Sequence, residues 1–315
     1  MAPRVSVIIP LYNEEQNVAE LHARLARVLT ERDVEFLFVD DGSTDGTHDR
    51  LIDMARADER VRVIRFRRNF GQTAALSAGI DHSTGTIIVP IDGDLQNDPA
   101  DIPLLLARLD EGFDVVSGWR RNRQDPLHRV IPSVIANRLV SWISGVPLHD
   151  YGCSLKAYRR RVLQDVRLYG EMHRFVPIYA SWQGARVTEM PVTHHPRLRG
   201  KSNYGIERTL KVVLDLIVVK FLASYATKPI YVFGGFGAAS FLLSFAAFLM
   251  MLYFKFTNVG QKDFVETPLP LVVVMFLLVG CLSLLLGLVA ELTVRTWYES
   301  QGKRTYALWQ IEEER

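Results

Sequence analysis

The chain has 315 residues, with 37 Lys and Arg against 35 Asp and Glu and a formal net charge of +2. Such a balance gives no ground for a nucleic-acid partner, which is drawn by a concentrated positive field. Two cysteines, Cys153 and Cys281, exclude a disulfide-built fold. Hydrophobicity is unevenly placed. Residues 1 to 205 have the mixed character of a water-soluble domain, whereas Ile230 to Phe254 and Leu269 to Ala290 contain no charged residue. Each of these stretches supplies the roughly 20 apolar residues that a helix needs to cross a bilayer core.

In chain order, Ser6 to Pro10 reads as a first strand. Glu15 to Leu29 follows as a helix, with Val18, Leu21, Leu25 and Val28 at helical spacing. A strand over Phe36 to Val39 and a helix over Thr47 to Ala57 come next, then a strand over Val61 to Phe66 and a helix over Thr73 to Ile80. Ile87 to Ile91 is the fourth strand, Ile102 to Glu111 another helix and Asp114 to Gly118 another strand. The alternation predicts a mostly parallel, doubly wound α/β sheet. Beyond it Arg120, Arg121, Arg123, Arg129 and Arg138 crowd into one stretch with Trp119 and Trp142. Arginine matches phosphate oxygens in a bidentate fork, so this stretch reads as a phosphate-binding surface near the membrane, or else as a solvated charged loop and helix. Ile206 to Ala226 carries Glu207, Arg208, Lys211 and Asp215 along one side, which suits a helix lying in the membrane interface.

The chemistry concentrates directly after the strands. PLYNEE (Pro10 to Glu15), VDDGSTDGT (Val39 to Thr47) and DGDLQ (Asp92 to Gln96) each leave an apolar run. Residues in those places stand at the carboxyl edge of the sheet, where open α/β folds bind ligands. Carboxylates held together there call for a cation between them. Asp92 and Asp94 are well spaced to hold Mg²⁺ or Mn²⁺ against a diphosphate. A phosphate loop of the GxxxxGK[ST] type is absent from the sequence, which speaks against a nucleotide switch.

These motifs, with NFGQTAALSAG (Asn69 to Gly79), GWRRNRQD (Gly118 to Asp125) and HDYGCSLKAYRR (His149 to Arg160), resemble family 2 glycosyltransferases of the GT-A fold, in their polyprenyl-phosphate branch. The resemblance implies an inverting, metal-dependent transfer from a nucleotide-sugar, UDP-linked by preference, to polyprenyl (undecaprenyl) phosphate. It assigns Pro10, Tyr12, Glu14, Val39 and Asp41 to the nucleoside. It assigns Asp92, Gly93, Asp94 and Gln96 to the metal and diphosphate, with Mg²⁺ or Mn²⁺ bound by Asp92, Asp94 and Gln96. Arg120 falls beside the sugar and phosphates, and Arg129 with Ser133 falls at the lipid phosphate. Asp150 orients the acceptor or an arginine, or serves as a turn residue before Gly152. The basic loop RLRGKSNY brings Arg197, Arg199 and Lys201 to the diphosphate, although relatives carry a lysine where this chain has Asn203. The resemblance also implies a homo-oligomer, tetrameric in close relatives.

The implied organisation is a GT-A catalytic domain over 1–205, an amphipathic juxtamembrane helix over 206–228, two transmembrane helices over 229–297 and a tail over 298–315. Basic residues flank the spans on their outer sides: Lys211, Lys220 and Lys228 before the first, Arg295, Lys303 and Arg304 after the second. The positive-inside rule then expects a multi-pass inner-membrane protein with the catalytic domain and both termini cytoplasmic. The first apolar run, Val5 to Leu11, is too short for a signal peptide. The same fold acting on a glycan or diacylglycerol, or an inactive scaffold, are the competing readings.

Overall fold

The computed structural model describes residues 4–121, 127–163, 172–196, 228–257 and 267–300. Contacts divide the chain into two compact units, Met1–Ile217 and Val218–Arg315.

The first unit is built on seven strands: β1 (Val5–Leu11), β2 (Val34–Asp40), β3 (Val61–Arg65), β4 (Ile87–Pro90), β5 (Val115–Trp119), β6 (Lys156–Arg159) and β7 (Val187–Pro191). They form one sheet in the order β3-β2-β1-β4-β6-β5-β7. Every pairing is parallel except those of β6, which runs antiparallel to both β4 and β5. The last two strands went unread in the sequence, because β6 is four residues long and partly charged and β7 lies at an edge, half exposed. β1 and β2 are covered on both faces, which is why they read as unbroken apolar runs.

With the sheet the unit carries helices α1 (Val18–Val28), α2 (Thr47–Ala57), α3 (Gln72–His82), α4 (Ile102–Asp110), α5 (Leu127–Ser144) and α6 (Val176–Trp182). One face packs Val7, Ile9, Phe36, Phe38 and Val89 against Leu21, Leu25 and Leu105. The other packs Ile8, Val39, Ile88 and Tyr158 against Ala75, Leu76 and Val176. α1 starts three residues later than the apolar spacing indicates. The amides of Asn17 and Val18 both donate to Glu14 O (2.9 and 3.2 Å), so Glu14 to Asn17 make a turn before the helix begins.

β2 buries two acidic residues, Glu35 and, at its end, Asp40. Glu35 is 1% exposed, and its carboxylate accepts from Ser6 Oγ (2.6 Å), Thr84 N (2.6 Å), Thr84 Oγ1 (2.8 Å) and Arg62 Nη1 (2.9 Å). Burial alone would raise its pKa, but these donors outweigh it and hold the group down at about 2.

In the second unit α7 (Ile230–Phe256) and α8 (Leu269–Ser300) pack on each other. Both are long and apolar enough to cross a membrane. Ser244 Oγ donates to Val273 O across the pair (2.8 Å), and Gly237 approaches so closely that a Cβ there would lie 3.1 Å from Gly280 O. Small residues and interhelical hydroxyl bonds are how helices associate where water supplies no driving force. Leu242, Phe245, Leu271 and Leu292 are turned outward and exposed. The juxtamembrane segment read over 206–228 lies outside the described residues save for Lys228.

Candidate active site

β1, β2, β4 and β5 end on the same edge, and the chain switches direction between β1 and its neighbours β2 and β4. A crevice forms at such a switch point. Because β6 is reversed, its first residue, Lys156, and the loop 150–155 before it arrive at that edge as well.

The loops after β1 and β2 hold each other in place. Asp41 N donates to Leu11 O (2.8 Å), Asn13 N to Ser43 Oγ (3.0 Å), Thr44 N to Asn13 Oδ1 (2.8 Å) and Glu14 N to Thr47 Oγ1 (2.9 Å). Asn13 adopts φ 56°, a left-handed conformation that asparagine tolerates. Gly42, at φ 70°, has no substitute: a Cβ there would meet the Arg68 carbonyl carbon at 2.4 Å. Tyr12 stands 39% exposed at the rim and Glu14 is half-buried, its Oε2 accepting from Asn17 Nδ2 (2.6 Å). Asp41 is nearly buried and accepts at both oxygens, from Phe70 N (2.7 Å) and Gly71 N (2.8 Å). Burial raises its pKa, with the two amides opposing. Asp41 therefore anchors the loop that leads into α3. Val39 packs its side chain wholly in the core below the edge, beside Ala75 and Leu76.

The acidic turn continues β4. Ile91 N donates to Ile8 O (3.0 Å), which keeps the turn in register with β1. Asp92 is half-buried, and its Oδ1 accepts from Gln72 Nε2 (2.7 Å). Burial, and then the neighbouring Asp94 charge, push the Asp92 carboxyl up. Asp94 is 7% exposed and accepts at Oδ1 from Gln96 N (3.1 Å). Between them Gly93 sits on β1, where a Cβ would run 2.1 Å from Leu11 Cδ2. Leu95 holds φ 61°, a strained value for a bulky residue, and its side chain is 2% exposed in the core. The buried leucine keeps the turn folded with Asp94 and Gln96 on either side. Gln96 O accepts from His195 N (2.8 Å), and His195 Nε2 pairs with Asp98 Oδ2 (3.0 Å), so the segment after β7 is fastened to this turn.

Arg120, directly after β5, makes a two-pronged contact with Asp150: Nε to Oδ2 at 2.7 Å and Nη2 to Oδ1 at 3.0 Å. Asp150 Oδ1 also accepts from Gly152 N (3.0 Å), so the carboxylate orients an arginine and shapes its own turn together. Ser133 is half-buried on α5. The side chain of Arg129, and Arg197, Arg199 and Lys201 altogether, lie outside the described residues. Among the described residues no three His, Cys, Asp or Glu side chains gather as a metal cluster. The edge instead offers two carboxylates and the Gln96 amide.

The profile of Glycosyl transferase family 2 matches residues 6–167, which run from Ser6 in β1 past the end of β6 and hold every strand-end motif. The chain belongs to this family. A dodecaprenyl-phosphate galacturonate synthase from Rhizobium johnstonii is 42% identical over 318 residues, covering 98% of this chain and 92% of the relative. An undecaprenyl-phosphate 4-deoxy-4-formamido-L-arabinose transferase from Klebsiella pneumoniae is 35% identical over 311 residues, covering 98% and 93%. Among solved structures, glucosyl-3-phosphoglycerate synthase from Mycobacterium tuberculosis in complex with Mn²⁺, UDP and phosphoglyceric acid aligns with a TM-score of 0.55 at 19% identity, over 70% of this chain and 78% of that one. That likeness establishes the GT-A fold.

In this family 2 glycosyltransferase the edge also carries residues that sequence reasoning missed. A small pocket opens below Asp92, lined by Gln72, Ser154, Lys156, Tyr158 and His173 among others. Gln72 opens α3 within a motif already noticed, so its place after a strand-to-helix loop was the available signal. Lys156 gave none, since its position depends on the reversal of β6.

Proposed function

We propose that the protein transfers a sugar from a nucleoside-diphosphate donor, UDP-linked by preference, to the phosphate of a polyprenyl phosphate, inverting the anomeric centre. The observation that carries this reading is the meeting of the Asp92–Asp94 turn and the Asp150-clamped Arg120 at one sheet edge. Two full-length relatives named as polyprenyl-phosphate sugar enzymes support the acceptor.

Asp41, Tyr12, Glu14 and the main chain around Pro10 and Val39 would receive the nucleoside. Two carboxylates and an amide form an oxygen set that Mg²⁺ or Mn²⁺ takes when substrate phosphates complete the shell. Asp92, Asp94 and Gln96 would hold that ion, which when bound neutralises charge on the departing diphosphate. Arg120, held rigid by Asp150, would orient the sugar-linked phosphate, and Arg129 with Ser133 the acceptor phosphate. The two anions repel, so fixed cations are what bring them within reacting distance. The acceptor oxygen is already anionic near neutral pH, and no general base is needed. Arg197, Arg199 and Lys201 would close over the diphosphate and exclude water.

The surface of α5 fits a lipid acceptor. Ile135 and Trp142 are 63% and 81% exposed, with Val134 and Leu139 also turned outward, on the helix that carries Arg129 and Ser133. An apolar helix face beside a phosphate site suits a bilayer surface. Residues 1–205 would form the catalytic domain, 206–228 the juxtamembrane helix, 229–297 the spans and 298–315 a tail. The protein would lie in the inner membrane, its catalytic domain and termini cytoplasmic.

The test is transfer from a panel of labelled UDP- and GDP-sugars to undecaprenyl phosphate, using purified protein in detergent with and without Mn²⁺ or Mg²⁺. Metal-dependent labelled lipid from one donor is the expected result. Nucleotide binding without lipid product from any donor would overturn the acceptor assignment.

A further inference from the structure

Lys156 is a buried charge at the site to which the roles given above assign nothing. It opens β6, is 3% exposed, and donates from Nζ to Tyr151 O (3.2 Å) and to Cys153 O. An ammonium has three donors, and two of them are taken by carbonyls of a single loop. Burying a cation whose hydrogen bonds go to neutral carbonyls is expensive compared with an apolar side chain of the same length. The contact must therefore supply something that methionine or leucine would not.

The tied loop joins three parts of the site. Asp150 at its start clamps Arg120. Ser154 near its end accepts from Asn97 Nδ2 (2.8 Å), directly after the acidic turn. Tyr151 donates its hydroxyl to Val146 O, in the segment that follows α5. Gly118 closes the remaining side. A Cβ there would stand 2.6 Å from Leu155 O and 2.9 Å from Cys153 Sγ, so the loop lies directly on β5.

We propose that Lys156 is a positioning residue: its ammonium locks loop 150–155 into a bracket that fixes Arg120 relative to the Asp92–Asp94 turn. The proposal rests on the transfer reaction argued above, and it assigns Lys156 a part in the chemical step rather than in nucleotide binding. Burial lowers the Lys156 pKa to about 8. Cys153 and Asp150 oppose that shift, while Arg120 and Arg174 add to it. Asp92 faces it from the acidic turn, and Tyr158 and His173 line the same pocket. The bracket is thus held by the ammonium below that value and loosens above it.

The experiment compares full-length wild type, Lys156→Met and Lys156→Arg in detergent. It measures kcat and KM for transfer, UDP affinity by calorimetry, Tm, and UDP release without acceptor, across a pH series spanning the Lys156 pKa. Lys156→Met is expected to lower kcat by about 10- to 100-fold, the scale of a small misplacement of reacting groups. UDP affinity should stay within about three-fold; wild-type kcat is expected to fall at alkaline pH and Lys156→Met to lack that fall, with Lys156→Arg restoring part of the rate. Unchanged kcat with an unchanged pH profile overturns the proposal. So does a loss of UDP affinity and Tm in step with kcat, which marks a merely structural lysine. Wild type that releases UDP slowly but labels no lipid overturns the acceptor reading alone, because Lys156→Met still reports on the bracket through UDP release.

Discussion

Asp150 grips Arg120 through both Nε and Nη2, at 2.7 and 3.0 Å, although the two residues are thirty positions apart. The side chains are 15% and 4% exposed, so the pair is shielded from solvent and its geometry is fixed before any ligand arrives. Asp150→Asn keeps the shape but removes the charge that holds the guanidinium. Transfer should fall by about 10- to 100-fold, with UDP affinity little changed. Asp150→Ala removes the carboxylate that both Nε and Nη2 of Arg120 contact and should lower Tm.

Asp94→Ala should abolish transfer, by at least about 10³-fold, while the protein still purifies from membranes. The check is a Mn²⁺ titration of activity in parallel with Tm. Retained turnover would refute the assignment of Asp94 to the metal.

Trp142 tests the proposed lipid surface independently of the chemistry. Exposed as it is on α5, Trp142→Ser should leave Tm unchanged within about 1 °C. KM for a long-chain polyprenyl phosphate should rise several-fold, about 1 kcal/mol of lost apolar contact, while a short-chain, water-soluble phosphate acceptor is used as before. Equal effects on both acceptors would argue against contact between α5 and the lipid.

Glu35 governs acid stability. Its folded pKa of about 2 lies below its ordinary 4.5, so the unfolded chain binds the proton more tightly. Its contribution is complete above about pH 4.5 and is lost as pH falls toward 2, amounting to about 3 kcal/mol over the full window. Glu35→Gln should lower Tm at neutral pH and flatten the decline of Tm below pH 4.5. A variant with the wild-type acid profile would show that other carboxylates carry it.

The amino-acid sequence by itself determined which motifs stand at the carboxyl edge of the sheet. Val7-Ile8-Ile9, Phe36-Leu37-Phe38 and Ile87-Ile88-Val89 are runs that only a buried strand satisfies, and the residues after them must stand at a carboxyl edge. Asp92 and Asp94 follow from that local rule, as do the two charge-free stretches that became α7 and α8. The tertiary structure alone decided which groups meet. Strand order and the reversal of β6 are set by long-range pairing, which no local pattern encodes. They bring Asp150 to Arg120, Ser154 to Asn97 and Lys156 beneath the acidic turn. They also engage both oxygens of Asp41 with the Phe70 and Gly71 amides, a role that its motif left open. Hydrophobic periodicity is a property of neighbours along the chain, whereas a charge finds its partner only after the sheet has closed around it.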